Sequence, residues 1–308
     1  MKIKTRIVAL AGLVGCFVAA GSSIAKADLL RDFNLVVVGN LDSQSEVEGR
    51  TIVGGNLNGP ASNYGIMLTP ASSFLNTDVL IVGGNLNAQN INMNAGNLRH
   101  AGANNAQNIN FNGGGQRFQD AGVANVGAAA ATELNGNVTF FNGLASNSVA
   151  SFPNSQPGPL TFNCSPDSNG VAVFNVAGSA VFSNNLVQSI NINFNGATSV
   201  VINVSGSSVN FTQGNFVGNF TSSFARSNVL WNMGAASSID MGGKQFNGAL
   251  LAPNASLFTQ GVMEGSVFVG SFLQRGEVHL PGYRGIIPAP GAATMLGLGM
   301  VMAGRRRR

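Results

Sequence analysis

Short runs in which Val, Ile or Phe recur between polar residues, each closed by Gly or Asn, pattern most of the chain. LVVVGNLDS from Leu35, TIVGGNLNG from Thr51 and LIVGGNLNA from Leu80 share a V-G-(G)-N-L ending. AQNINMN from Ala88 and AQNINFN from Ala106 form a second related pair, and VTFF, VAVFNV, AVFSNN, ININFNG, VVINVSG and SVNFTQG follow. Such self-similarity marks stacked units whose apolar faces are buried only by their neighbours. The runs are about four to seven residues long, which is strand length. In the later half similar positions recur about every 17 to 20 residues, as from Phe174 to Phe194 and from Phe194 to Phe211, the length of one rung of a parallel β-helix.

The pattern predicts a mostly β fold, a right-handed parallel β-helix (β-solenoid) with one α-helix packed alongside. A β-sandwich is the alternative: it shares short strands and Gly-rich turns, but would carry more charge on its faces and repeat one tripeptide ending less. Asn fits the bends, because it tolerates left-handed backbone and its amide can bond local backbone or ladder with an equivalent one rung away. The break in the β pattern is QRFQDAGVANVGAAAATELNGN, where Phe118, Val123, Val126, Ala130 and Leu134 fall on one helical face. A helix is predicted over residues 118–134. Gly122 and Gly127 inside it cost about 1 kcal/mol each relative to alanine, so it depends on packing along the β body, and the glycines permit close approach. SFPNSQPGPL from Ser151 reads as a loop.

The two ends change how the charge is read. MKIKTR, the apolar run IVALAGLVGCFVAAGSSI and Ala25-Lys26-Ala27 have the order of a secretory signal peptide over residues 1–27, with the mature chain starting at Asp28. A competing reading makes Cys16 a lipid-modified terminus. At the other end Pro288-Ala289-Pro290-Gly291 precedes AATMLGLGMVMAG and the basic cluster Arg305, Arg306, Arg307 and Arg308. Residues 286–308 therefore read as a sorting tail. A dozen or so residues is roughly 18 Å of helix, short of the roughly 30 Å of a hydrocarbon core, so membrane association through it is transient, with the arginines as a cytoplasmic stop. The chain has 16 basic and 12 acidic residues. Eight of the basic ones lie in these ends, which leaves the body acidic and removes the case for nucleic acid. Charged residues are 9% of the chain against about 25% in an average domain, and asparagine supplies the missing polarity. With Cys164 the one cysteine outside the leader, no intramolecular disulfide is expected.

The chain resembles the choice-of-anchor A family, exported bacterial proteins that share an adhesive domain followed by varied surface-sorting tails. The residues that carry the resemblance are FNLVVVGNLDSQSEVEGRTIVGGNLN from Phe33 and QFNGALLAPNASLFTQGVMEGSVFVGSFLQRGEVHLPGYRG from Gln245. They bound one domain over residues 28–285. The tail is similar to a PEP-CTERM signal, with Ala289 in place of the glutamate. The resemblance implies export machinery and an exosortase-like sorting enzyme as partners, and a location at the cell surface or outside the cell.

Candidate chemistry is sparse. Outside the leader the histidines are His100 and His279, far apart and without a catalytic motif about any serine. Asp78, Asp120, Asp167 and Asp240 are the acids to test against a polysaccharide-acting enzyme on a β-helix; each stands alone in sequence and reads first as a turn aspartate. Asp42, Glu46 and Glu48 beside Arg50 read as a charged turn or cap before a calcium site. Gly54 and Gly83 lie in Gly-Gly-Asn steps that lack the lysine of a phosphate loop and are read as turns. Cys164 reads as a buried apolar residue, Trp231 and Tyr283 as core or rim packing rather than a sugar platform, and the phenylalanines as stacked interior residues. No cofactor, metal site or catalytic residue is expected. The predicted function is a non-catalytic structural or adhesive protein of the cell surface or matrix, with contacts to polysaccharide or cell-surface components. Ice or polysaccharide binding, and last a polysaccharide-acting enzyme, are the alternatives.

Overall fold

A computed structural model describes residues 28–287; the expected leader and all of the expected tail except Ile286 and Ile287 lie outside them, and those two residues pack against the body. Its regular structure is mostly strand, in sheets of 14, 7 and 3 strands. Successive turns feed both large sheets. Leu35–Val37 enters the 14-stranded sheet and Glu46–Val47 the 7-stranded one, followed by Thr51–Val53 and Ala61–Tyr64, Asp78–Val82 and Asn90–Met93, then Asn97–His100 and Asn108–Phe111. The related endings stack in register: Val37 on Val53 on Val82, and Leu41 on Leu57 on Leu86. The ladders are parallel, except that Val149–Ser151 runs antiparallel to Gly158–Asn163. Sheets built from antiparallel hairpins, as in a sandwich, would not give this pairing.

The spatial order is not the chain order. The first strand sits in the middle of the large sheet, and the early strands lead outward from it to Arg117–Gln119. The chain then returns along the sheet in a helix and builds inward from Val171–Ala177 until Val267–Gln274 closes against Leu35–Val37. Ser43 Oγ donates to Gln274 Oε1 across 231 residues of sequence, at 2.8 Å. Rung spacing varies as a result. Stacked asparagines are 16, 29 and 18 residues apart in the first half and 28 and 29 apart in the second. The expected Phe174, Phe194 and Phe211 period therefore fails: Phe174 stacks on Ile202, while Phe194 packs on Phe224 outside the strands. The longer turns carry inserted elements such as helix Gly178–Phe182 and strand Val187–Asn193.

The long helix spans Val126–Asn142 rather than 118–134. Phe118 lies in strand Arg117–Gln119 under the Arg99 guanidinium, and Asp120 caps a single 3₁₀ turn, Ala121–Val123. VTFF, read from sequence as β, forms the helix's last turns. β-Branched and aromatic residues have weak helix propensity, but burying Val138 and Phe141 against the sheet overrides it. At 17 residues the helix is about 25 Å long, enough to cross five or six strands at about 4.8 Å each. Two apolar clusters follow. Leu35, Val37, Val53 and Val82 point between the sheets; Val36, Ile52, Val201, Leu230 and Phe268 point under the helix with Ala130, Leu134 and Tyr283. The large sheet is covered on both faces there, which is why its strands read Val-Val-Val instead of alternating.

Gly54 and Gly83 are not positive-φ turn residues. A Cβ on Gly83 would stand 2.5 Å from the Gly54 carbonyl oxygen and 3.2 Å from Val126 Cγ1, and one on Gly127 would stand 2.8 Å from Gly54 Cα. They are places where one rung, the next rung and the helix meet without side chains between them. Gly122 makes no such contact with the sheet.

Candidate binding face

The most regular polar feature is built by asparagine. In strands Asn90–Met93 and Asn108–Phe111 the apolar residues turn inward and the asparagines outward. Each outward amide donates to its equivalent one rung back: Asn108 to Asn90 at 2.9 Å, Asn110 to Asn92 at 2.8 Å and Asn112 to Asn94 at 3.3 Å. At the adjoining corner Asn105 donates to Asn87 and Asn87 to Asn58, at 2.9 and 3.0 Å. A third ladder uses backbone donors, with Asn56, Asn85 and Ala103 N–H bonding the side-chain oxygens of Asn40, Asn56 and Asn85, each at 2.8 Å. The second half repeats the device on Asn175, Asn203 and Asn232, which also reaches Asn142 at the helix end. A primary amide has two donors and one acceptor oxygen, so the exposed amides of Asn105, Asn108 and Asn110 keep a donor and a lone pair beyond their ladder bonds, whereas Asn203 and Asn232 use both donors within the structure. The expected Asn ladders are present, and in the first half they form a neutral array of exposed amides.

The predicted site residues do not assemble into a reactive centre. Asp78 and Asp120 meet at Arg99, at 2.7 and 3.1 Å, and Arg99 also covers the Phe118 ring. Asp167 accepts the N–H groups of Val171 and Asn169, which hold its carboxyl below the usual range despite some desolvation. Asp240 accepts from Gly242 N–H in a turn. Asp42 pairs with Arg275 at 2.9 Å. Glu46 accepts from Asn63, while Arg50 bonds the Asp78 carbonyl and lies over Phe33. These acids are occupied with turns and ion pairs.

Trp231 and Tyr283 are fully buried. Trp231 sits among Phe162, Phe182, Phe216, Phe220 and Phe246 with ring centroids 5.4–5.7 Å away, and its indole N–H bonds the Asn247 carbonyl. Cys164 is buried, and desolvation pushes its thiol up to about 12, far from a reactive thiolate. Asp28, the expected new terminus, caps the short helix Leu29–Asp32 through Leu30 N–H. Ala25, Ala27, Pro288 to Gly291 and the terminal arginines lie outside the described residues.

Sequence reasoning missed one cluster. His279 Nε2 is 2.6 Å from Glu277 and 3.9 Å from Glu48, and its Nδ1 is 3.4 Å from Glu264, which itself pairs with Arg226 at 2.8 Å. Glu48 also accepts the Leu280 N–H. Burial works against the charged imidazole, but Glu277 and then Glu48 and Glu264 outweigh it, and the pKa is raised. The group joins three strands from opposite chain ends through the pairings of Met263–Glu264 with Val278–His279 and of Val278 with Val47, so no local signal exposed it. His100 is the opposite case. It is buried, with Nδ1 at 3.0 Å from the Gly102 carbonyl and Nε2 beside Arg117, and desolvation lowers its pKa. An open groove of about 370 Å³ lies at the end of the long helix, lined by Asn142, Asn175, Asn203, Val176, Val204 and Ser205 among others, none ionisable. Among the described residues no helix is long and apolar enough to cross a membrane.

A β body whose repeated surface feature is a neutral amide array, and whose acids serve its own turns and ion pairs, belongs to the class of binding or adhesive domains. The chain is a member of the family described as "Putative Ice-binding-like adhesive domain", whose model matches residues 26–280. No curated protein and no solved structure matches it.

Proposed function

We propose that the chain is a non-catalytic adhesive protein of the bacterial surface or matrix, built as a right-handed parallel β-solenoid, whose amide face holds extracellular polysaccharide by many weak contacts. The observation that carries this reading is the stack of outward asparagines at one-strand intervals. Identical sites about 4.8 Å apart act on a polymer multivalently, so that single bonds near 1 kcal/mol sum to useful avidity. Two features of the sequence support export and sorting: the leader over residues 1–27, and the choice-of-anchor A-like body followed by a PEP-CTERM-like tail from Pro288 to Arg308.

Retention of the purified chain on the producing cell's own polysaccharide tests the binding half. The triple variant Asn87→Ala, Asn90→Ala, Asn92→Ala loses at least tenfold in affinity on this reading, and unchanged retention refutes it. The intact mass of protein recovered from separate cell fractions tests the sorting half: a surface or medium form that begins near Asp28 and lacks the arginines supports it, and a full-length inner-membrane form refutes it. The family's ice-binding-like description favours a second ligand for the same face. Thermal hysteresis that disappears in the triple variant would assign ice instead of polysaccharide.

A further inference from the structure

Strand Asn108–Phe111 ends the 7-stranded sheet and is paired on one side only, with Asn90–Met93. At the other end of the 14-stranded sheet, strand Val171–Ala177 is partly covered by the chain before it. There Asn147 and Ser148 N–H bond the Val173 carbonyl at 3.2 and 3.1 Å, and Val149–Ser151 pairs antiparallel with Gly158–Asn163. We infer that Asn108–Phe111 is a self-association edge, pairing antiparallel with the same strand of a second copy of this chain about a twofold axis at Asn110.

The ladder fixes which groups are free. Asn108 N–H donates to the Gln89 carbonyl at 2.9 Å, and alternate residues of a strand turn their backbone groups to the same neighbour. Asn108 and Asn110 therefore bond inward to the sheet, and Ile109 presents its N–H and C=O and Phe111 its N–H at the open edge; the Phe111 carbonyl accepts the Gly114 N–H at 3.3 Å and offers its second lone pair. With the axis at Asn110, Ile109 faces Phe111 of the second copy and Phe111 faces its Ile109. Each pair exchanges two hydrogen bonds, four in all. The side chains match in the same register, since Ile109 and Phe111 both point to the interior side and are only half-buried at the end of the core. Exposed Leu75 lies beside this end, 3.3 Å from where a Cβ on Gly114 would stand. Asn110 meets Asn110 as a non-hydrogen-bonded pair, with Cα atoms about 4.5 Å apart and both amides outward.

Charge permits the contact. Residues 101–116 hold no charged residue and no proline, two of the devices by which native edges prevent strand addition. A twofold axis sets each group against its own copy, so a neutral edge is the one that self-pairs without repulsion. An outside partner would need an apolar pair flanking a neutral residue in the same register; this strand already has that sequence.

Sedimentation and light scattering of the full chain over a concentration series read the association directly. The expected result is a concentration-dependent dimer that Asn110→Lys weakens at least tenfold while the circular dichroism spectrum is unchanged, because the side chain is exposed. Asn110→Cys gives an independent measure: the spacing suits a disulfide, so mild oxidation yields a covalent dimer whose bridge maps to the two introduced thiols, with the parent chain and its Cys164 as control. A parent chain monomeric throughout, a dimer untouched by Asn110→Lys, or a bridge that does not form between the introduced thiols each overturns the inference. None of these outcomes depends on what the amide face binds.

Discussion

Alanine placed at Gly127 and at Gly136 makes the same chemical change twice in one helix, and the structure assigns the two changes opposite signs. At Gly136 an added Cβ meets nothing within 4 Å. Only backbone entropy changes, and the gain is about 1 kcal/mol in a helix interior. At Gly127, in the first turn, the propensity gain is smaller, and the new Cβ would stand 2.5 Å from the Val38 carbonyl oxygen and 2.8 Å from Gly54 Cα. Both neighbours are backbone one residue past strands Leu35–Val37 and Thr51–Val53, held by the Val38 N–H to the Val269 carbonyl and the Gly54 N–H to the Val37 carbonyl, so the helix must lift instead. Overpacking of this kind costs roughly 1–3 kcal/mol. Lifting also loosens Ala130, Leu134 and Phe141 from the cluster over Val36, Ile52 and Phe268. Thermal unfolding of the two variants beside the parent is the assay. Gly136→Ala should melt about 2–4 °C higher and Gly127→Ala several degrees lower, at roughly 2–4 °C per kcal/mol for a domain of this size. If Gly127→Ala melts as high as Gly136→Ala, the helix does not rest on the Gly54 corner and the account of these glycines is wrong.

Further expectations follow from the core, the histidine cluster and the ladders. Trp231→Ala should lower the stability measured in urea by about 3–5 kcal/mol, since it empties a site bounded by five phenylalanine rings and strands the Asn247 carbonyl. His279→Gln should cost most at low pH. The folded-state pKa is raised, so the stabilisation is complete below the unfolded value near 6.5 and fades as pH rises through the folded value; a melting-temperature difference from the parent that grows with pH contradicts the cluster. Asn87→Asp with Asn105→Asp replaces a 2.9 Å amide bond by stacked carboxylates, and should destabilise at neutral pH by about 2 kcal/mol. Acidification that protonates the pair should restore part of the loss relative to the parent, and a pH-independent difference in urea midpoint would refute the ladder.

How far the fold could be read from sequence depends on whether its cause was local. The V-G-(G)-N-L endings did announce strands that stack, because Val37, Val53 and Val82 occupy equivalent positions. The two asparagine runs did announce a ladder, and the phenylalanines around Trp231 an interior. Where tertiary context decides, the reading failed. Val138 to Phe141 look like a strand and are helical because the sheet below them is apolar. The 28- and 29-residue turns of the second half hide the rung period behind inserted elements. The closure of Val267–Gln274 onto Leu35–Val37, and with it the Glu48, Glu264, Glu277 and His279 cluster, joins segments at the two ends of the described chain. A single sequence carries no trace of that contact.

The scarcity of charge and the abundance of asparagine then have one physical origin. A parallel stack places each outward position directly above its equivalent at about 4.8 Å. Like charges at that distance repel by roughly 0.9 kcal/mol per pair even at the dielectric constant of water, and the penalty recurs at every rung. Two asparagines in the same place attract, because each amide can donate forward and accept from behind, as Asn58, Asn87 and Asn105 do. The exception obeys the same logic. Where acidic residues do collect, at Glu48, Glu264 and Glu277, His279 lies among them and Arg226 pairs with Glu264. A surface selected for stacking in this way is left neutral and carries amide groups outward, and the proposed contact with a hydroxyl-rich polymer rests on that same property.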